Sequence, residues 1–509
     1  MGFGGVMKRS TLAFLSLACV LASSAAAFAV PLPERAPSLV GPELALLPSG
    51  DGPRAATPAQ FSAGQTLLLD ARLGHEVLGQ RGAGETYLFA QVTGADKATD
   101  RAAAPPVNLG IVIDKSGSMK GERIANALSA AVLAVERMRD GDKVTVVSFA
   151  VASEVVVPPT VIGPDTRAGI EARIRGIRLG GDTCISCGLE SAMHELMRTP
   201  AGADQVSRML LLSDGATNAG IRDVPGLRSL AGRMRDRGCS ISTIGVDVDF
   251  DEKVMAAIAN EASGRHYFVR DAAGLPGIFA QEFDSLVASV ARDSELVVTL
   301  APGVEVEQVF DRAFRRQGDR LIIPFGSVSR AQQKTVLIKL RVPVGAAGPQ
   351  PVADMKLAFR DLLERADGAS VGSLALEVRA GASDPSLDPF VAARLERSRT
   401  AQSLTQANLL FEAGNVAGAR AALADRRAEL QKAEKLALAA PRAFAPAPRA
   451  ARPLSRDFDE QLGAVSKAES FGDDKPSAGA PAGPAPAPAS AAGKGAVRGN
   501  QATASELAF

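Results

Sequence analysis

Between residues 107 and 119 the chain reads VNLGIVIDKSGSM, and its hydrophobic pattern changes twice. Residues 109–113 form an almost unbroken apolar run, as in a strand buried on both faces of a parallel sheet. Asp114 ends that run and a Ser-Gly-Ser turn follows. Residues 121–138 then place Ile124, Leu128, Val132 and Val135 on one 3.6-residue stripe, which predicts an amphipathic helix. The alternation continues downstream. Strands are expected at 143–149, 154–157 (an antiparallel edge), 209–213, 240–246 and 266–269. Helices are expected at 167–177, 189–198, 227–237, 251–262 and 275–290. The pattern predicts an α/β fold, a doubly wound sheet with helices on both faces.

A different rhythm flanks this region. Residues 66–73 and 86–92 read as two strands joined by a Gly-rich connection, too few for an independent sheet. Short β-rich runs recur at 295–300, 320–324, 335–342, 355–359 and 373–378, as in an antiparallel sandwich. The N-terminal pair is expected to join them, so that the α/β domain (105–292) is inserted in a β-sandwich made of 63–100 and 293–380. Residues 385–437 read as a small α-helical region, and the phrase LLFEAGNVAGARAAL resembles a tetratricopeptide-type hairpin. From 438 to 509 Ala, Pro and Gly dominate, and the expectation is a disordered tail.

At the other end, residues 1–29 carry Lys8 and Arg9, an apolar core at 12–21 and an Ala27-Phe28-Ala29 cleavage site, the layout of a secretory signal. Lipid attachment at Cys19 is the minority alternative. Residues 30–62, rich in Pro, Gly and Ala, read as a linker. No later stretch has the length and apolarity of a membrane-spanning helix, so an exported protein, periplasmic or at the cell surface, is expected.

The 509 residues suffice for two or three domains, and a net charge of +1 supplies no field for nucleic acid. The three histidines, His75, His194 and His266, fall on different expected elements. His194-Glu195 starts a zinc-protease motif, but Arg198 stands where the second His is needed. Neither a Gly-x-Ser-x-Gly turn nor a phosphate-binding loop is present. The chain reads as a binder and not as an enzyme.

The chemistry concentrates after the strands. In D-x-S-x-S, Asp114, Ser116 and Ser118 alternate, so that one carboxylate and two hydroxyls can face a single hard cation such as Mg²⁺. Asp and Ser are also ordinary turn and N-cap residues, which is the competing reading. Two further stretches extend the set: LGGDT, a Gly-rich turn ending at Thr183, and MLLLSDG, a strand ending at Asp214.

Asp114, Ser116, Ser118, Thr183 and Asp214 resemble, in order, the metal-ion-dependent adhesion site of the von Willebrand factor type A domain. The resemblance spans about 107–286. It implies that the hydroxyls contact the ion while the two acids set the charge, often through water. It also implies Mg²⁺ (or Mn²⁺ or Ca²⁺) as cofactor and an exposed Asp or Glu of a protein partner as ligand. In outline the layout resembles bacterial exported type A proteins and inter-alpha-trypsin inhibitor heavy chains. Asp182, between the glycines and Thr183, departs from the family pattern and is expected to face solvent. Asp247, Asp249 and Asp251 follow a strand on the same sheet edge. N-capping of the next helix by Asp249 or Asp251 competes there with a partner-binding rim formed by Asp182, Asp247 and Asp249.

Cys184 and Cys187 form C-x-x-C directly after Thr183. Three readings stand: a bridge that fixes the Thr183 loop, two free thiols, or a redox pair. Cys239, at the opposite sheet edge, reads as a small buried core residue. The expected function is metal-dependent protein binding. The alternatives are a structural role in an envelope complex and a thiol oxidoreductase.

Overall fold

The computed structural model describes residues 59–96, 104–198, 202, 204–381, 386–439, 453–471, 487, 488 and 490–508. The expected secretory signal, Cys19 and nearly all of the expected linker lie outside them.

The described residues begin with four strands, β1 (Gln60–Ala63), β2 (Leu67–Leu73), β3 (Val77–Gly79) and β4 (Glu85–Gly94). It then enters the α/β domain through β5 (Val107–Asp114) and α1 (Glu122–Arg137). Next come β6 (Lys143–Phe149), β7 (Ser153–Val161), α2 (Pro164–Arg175), α3 (Ile185–Arg198) and β8 (Val206–Ser213). The domain closes with α4 (Val224–Arg235), β9 (Cys239–Val246), α5 (Glu252–Glu261), β10 (Ser263–Val269) and α6 (Leu275–Val287). Its sheet runs β10-β9-β8-β5-β6-β7, parallel except for the antiparallel edge strand β7.

Every residue of β5 is buried, and successive side chains serve opposite layers, as the two-residue period of a strand requires. Ile111 and Ile113 join a core with α1, α2 and α6. Val112 points the other way, into a core with α3, α4 and α5. This is the doubly wound fold. α3 presses closely on the sheet at Gly188, where a Cβ would lie 2.7 Å from the Phe149 ring.

After α6 the chain supplies β11 (Ser289–Leu300), β12 (Glu305–Phe310), β13 (Arg315–Gln317), β14 (Arg320–Ser329), β15 (Gln333–Arg341), β16 (Gly348–Asp361) and β17 (Ala366–Arg379). One sheet has the order β1-β2-β4-β15-β12 and the other β13-β14-β11-β16-β17-β3. The α/β domain is therefore an insertion between β4 and β11 of a β-sandwich whose two inner faces share one core, including Leu69, Leu88, Leu296, Ile323, Ile338 and Leu357. The base of the insertion is clipped by the β14–β15 turn. Gly94 donates to the Gln332 carbonyl at 3.0 Å, and Arg330 donates to that of Ala288 at 2.8 Å.

The helical region starts with α7 (Pro389–Glu412) and α8 (Val416–Ala439), broken at Gly414, whose φ of 80° suits a glycine. Asp388 caps α7, accepting from the amides of Phe390 and Val391, and pairs with Arg72 at 3.1 Å, which ties the helix to the sandwich.

The disordered-tail expectation needs correction at two stretches. Leu454–Glu469 forms α9 and Ala491–Ala508 forms α10. Phe458, Val465, Phe471, Val497 and Leu507 are buried in one core with α7 and α8, and the Phe471 ring stacks on Phe411 at 4.3 Å. Averaged over an Ala/Pro-rich tail, these few apolar side chains are diluted. Carried by two helices and the turn after α9, they come to lie in one core. Among the described residues no helix is long and apolar enough to cross a membrane.

Candidate functional site

β5 and β8 lie side by side in parallel register, with Ile113 opposite Leu212. Their carboxyl ends therefore emerge together. Asp114, the last residue of β5, is fully buried and accepts twice: from the Ser116 amide at 2.8 Å and from the Ser213 hydroxyl at 2.6 Å. One turn on, the Ser116 and Ser118 hydroxyl oxygens are 3.0 Å apart, and Ser118 donates to Asp214 at 2.6 Å.

Thr183 arrives from the other side on the loop before α3. That loop interlocks with the first: Gly180 donates to the Lys115 carbonyl at 2.6 Å and Gly117 to that of Gly181 at 3.0 Å. Asn218 holds the Thr183 backbone by accepting from its amide at 2.8 Å and donating to its carbonyl at 2.9 Å. Gly215 leaves room for both hydroxyls, since a Cβ there would sit 3.3 Å from Ser118 Oγ and 3.4 Å from Thr183 Oγ1. The structure thus brings Asp114, Ser116, Ser118, Thr183 and Asp214 together at one sheet edge.

Electrostatics follow from burial. Loss of water around the Asp114 carboxyl pushes its pKa up to about 6, against the hydrogen bonds from Ser213 and Ser116, and the neighbouring Asp214 charge adds to the rise. Arg123, in the first turn of α1, faces this pair. Its guanidinium donates to Asp214 Oδ2 at 2.8 Å and to the Ser118 carbonyl at 3.0 Å, and it pairs with Asp247. Burial works against its charge, but Asp214 and Asp247 outweigh that and strengthen it.

Among the described residues no three His, Cys, Asp or Glu side chains come together as a metal cluster. The donors here are instead two carboxylates and three hydroxyls. All are oxygen, the chemistry of hard ions such as Mg²⁺ and not of zinc. With its charge disfavoured by burial, Asp114 is a carboxylate that a cation would stabilise.

The other expected residues fall into place unevenly. Asp182 is exposed and accepts from the Asn218 amide nitrogen at 3.2 Å. Asp251 caps α5 through the Val254 amide. Asp249 instead pairs with Lys494 of α10 at 2.8 Å. Asp247 is taken by Arg123. Cys184 and Cys187 are joined as a disulfide across the first turn of α3, with Cys184 fully buried, and Cys239 is free and buried. Sequence reading missed Ser213, Asn218 and Arg123. For Ser213 a signal existed: the residue before a strand-ending Asp sits at the height of Asp114 on the neighbouring strand.

A profile of the von Willebrand factor type A domain family matches residues 108–281. The chain is 27% identical over 219 residues to the uncharacterized protein YfbK of Escherichia coli, covering 43% of this chain and 37% of that protein. It is 24% identical over 277 residues to the uncharacterized protein sll0103 of Synechocystis sp., covering 52% and 64%. The chain thus spans less than two thirds of the length of either relative. In fold it is similar to a von Willebrand factor type A protein from Catenulispora acidiphila, with TM-score 0.63 at 18% identity over 80% of this chain and 92% of that one. The ArnB paralog VWA2 from Sulfolobus acidocaldarius gives TM-score 0.52 at 16% identity over 79% and 98%.

Proposed function

On the premise that residues 108–281 are a von Willebrand factor type A domain, a type of module that commonly binds other proteins, we propose that this chain is an exported, metal-dependent protein-binding protein. The observation that carries the reading is the convergence of Asp114, Ser116, Ser118, Thr183 and Asp214 from three loops at one sheet edge. These residues would hold Mg²⁺ (or Mn²⁺ or Ca²⁺). The bound ion would supply an open coordination position for an Asp or Glu of the partner. The protein's own part is positional. Ser213 and the Ser116 amide fix the Asp114 carboxylate, Asn218 fixes the Thr183 loop, and the Cys184–Cys187 bridge pins the turn that follows. Export is supported by the signal-like residues 1–29 and by that bridge, which suits an oxidising compartment. The mechanism is coordination without turnover.

Arg123 favours a second reading. Because its guanidinium already pairs with Asp214 and Asp247, the site also works as a structural link closed by an internal cation. The thiol-oxidoreductase reading fits less well, since such a centre needs its first cysteine accessible at the helix start, whereas Cys184 is fully buried and only Cys187 is half-exposed. Immobilised protein, offered an extract with Mg²⁺ or with a chelator, separates the first two readings. Capture of a partner that chelator releases, and that Asp114→Ala prevents, supports metal-dependent binding. Capture indifferent to chelator supports the structural link.

A further inference from the structure

Where the α/β domain, the sandwich and the helical region meet, at the sheet edge opposite Asp114, lies a cavity of about 420 Å³. That is the size of a small-ligand site. All three parts line it. Six of the lining side chains are cationic: Arg208 from β8, Arg265 from β10, Arg312 after β12, Lys334 from β15, and Arg394 and Arg397 from α7. Some of this charge is matched. Arg208 pairs with Glu282 at 2.8 Å, Arg394 with Asp311 at 3.0 Å, and Arg397 with Asp457 at 2.5 Å and Glu460 at 3.1 Å.

Lys334 is different. It is 7% exposed, and its ammonium donates to the Phe325 carbonyl at 2.6 Å, but no carboxylate lies within ion-pair distance among the described residues. Burial, and then repulsion from Arg312, Arg208 and Arg265, hold its pKa well below the usual lysine range, with Glu282 as the opposing charge. Buried cations are normally paired, because leaving water costs several kcal/mol per ion. Here two carboxylates, Glu282 and the lining Glu506, stand among Lys334, Arg208 and Arg265. Phe89 and Phe390 supply apolar wall beside them.

We propose that this cavity binds a small phosphate monoester, its dianion received by Lys334 with Arg208, Arg265 and Arg312 and its organic part lying against Phe89 and Phe390. The lining cations outnumber the carboxylates beside them, and Lys334 has none within ion-pair distance among the described residues. That balance favours an anion, and guanidinium forks match phosphate oxygens. Because the binding residues come from all three parts of the chain, the ligand would brace the insertion against the sandwich and helices.

The test titrates the full chain with glycerol phosphate, inorganic phosphate, succinate and sodium chloride at matched ionic strength, read by calorimetry and thermal melting. The expected result is saturable binding and a rise in Tm with glycerol phosphate, a weaker response to inorganic phosphate, and none with chloride. Lys334→Met should weaken the phosphate ester at least about tenfold while melting no lower than wild type without ligand. Absence of saturable phosphate binding overturns the proposal, and so does equal affinity in Lys334→Met. Binding of succinate in preference to both phosphates overturns the ligand class. The wild-type titration decides even if the variant fails to fold.

Discussion

The Ser213 hydroxyl donates to the Asp114 carboxylate at 2.6 Å, joining the ends of two neighbouring parallel strands through one side-chain hydrogen bond. The pair is fully buried, so the bond is made where water cannot replace it. Ser213→Ala removes the donor and leaves Asp114 Oδ2 without it. A loss of about 1–3 kcal/mol in folding stability is expected, the cost of a buried acceptor left unsatisfied. Urea denaturation of the two proteins checks it, and a variant within 0.5 kcal/mol of wild type would show that the bond is not needed.

Arg123 sits on the charge that a metal ion would use. Replacing it with Met removes the cation from Asp214 and Asp247, leaving more negative charge at the site. If the site holds a divalent ion, Arg123→Met should bind it more tightly, by about tenfold for roughly 1.4 kcal/mol of relieved repulsion. It should also be less stable than wild type in chelator. Calorimetric titration with Mg²⁺ checks the affinity, and unchanged or weaker binding would mean that Arg123 helps to shape the site.

The Cys184–Cys187 bridge closes a very short loop. Loop-closure entropy then limits its contribution to global stability to no more than about 2 kcal/mol. Its larger effect should be local. Reduction, or a Cys184→Ser/Cys187→Ser double variant, is expected to raise amide hydrogen exchange across 180–188 while the protein stays folded. Exchange unchanged in that window would show that the interlocking backbone bonds at Gly117 and Gly180 hold the loop alone.

His266 gives stability a pH dependence. It is buried, its Nδ1 lies 2.9 Å from the Thr243 hydroxyl, and burial, with Arg498 nearby, lowers its pKa from 6.5 to about 4. Between those values the unfolded chain binds a proton that the folded chain does not. This stabilising contribution is therefore complete above pH 6.5 and is lost as pH falls toward 4. Comparison of wild type with His266→Gln by urea denaturation across this range isolates the effect from other acids. The wild type should lose on the order of 2 kcal/mol more than the variant, and parallel pH profiles would contradict this.

The α/β core was legible because its signals are local. A strand buried on both faces is a continuous apolar run, as in β5, and each expected metal-site residue stands where such a run or a Gly-rich turn ends. The sandwich insertion was legible from a shortage of strands before Val107. Arg123 was not, since one turn into an amphipathic helix an arginine reads as solvated surface, and its partner Asp247 lies 124 residues away. The β13 residues Arg315–Gln317 are all exposed and carry no alternation to detect. In α9 and α10 the periodicity exists, but among so many Ala, Pro and Gly residues it needs the α7–α8 surface to become meaningful.

The central claim is that Asp114, Ser116, Ser118, Thr183 and Asp214 hold a divalent cation. The most direct measurement is calorimetric titration of Mg²⁺ into wild type and Asp114→Ala, paired with thermal melts with and without the ion. Saturable binding in wild type only is predicted, with about 2.7 kcal/mol of stabilisation at a hundredfold excess over Kd. No saturable binding by the folded wild-type protein, or equal binding by Asp114→Ala, would contradict the account.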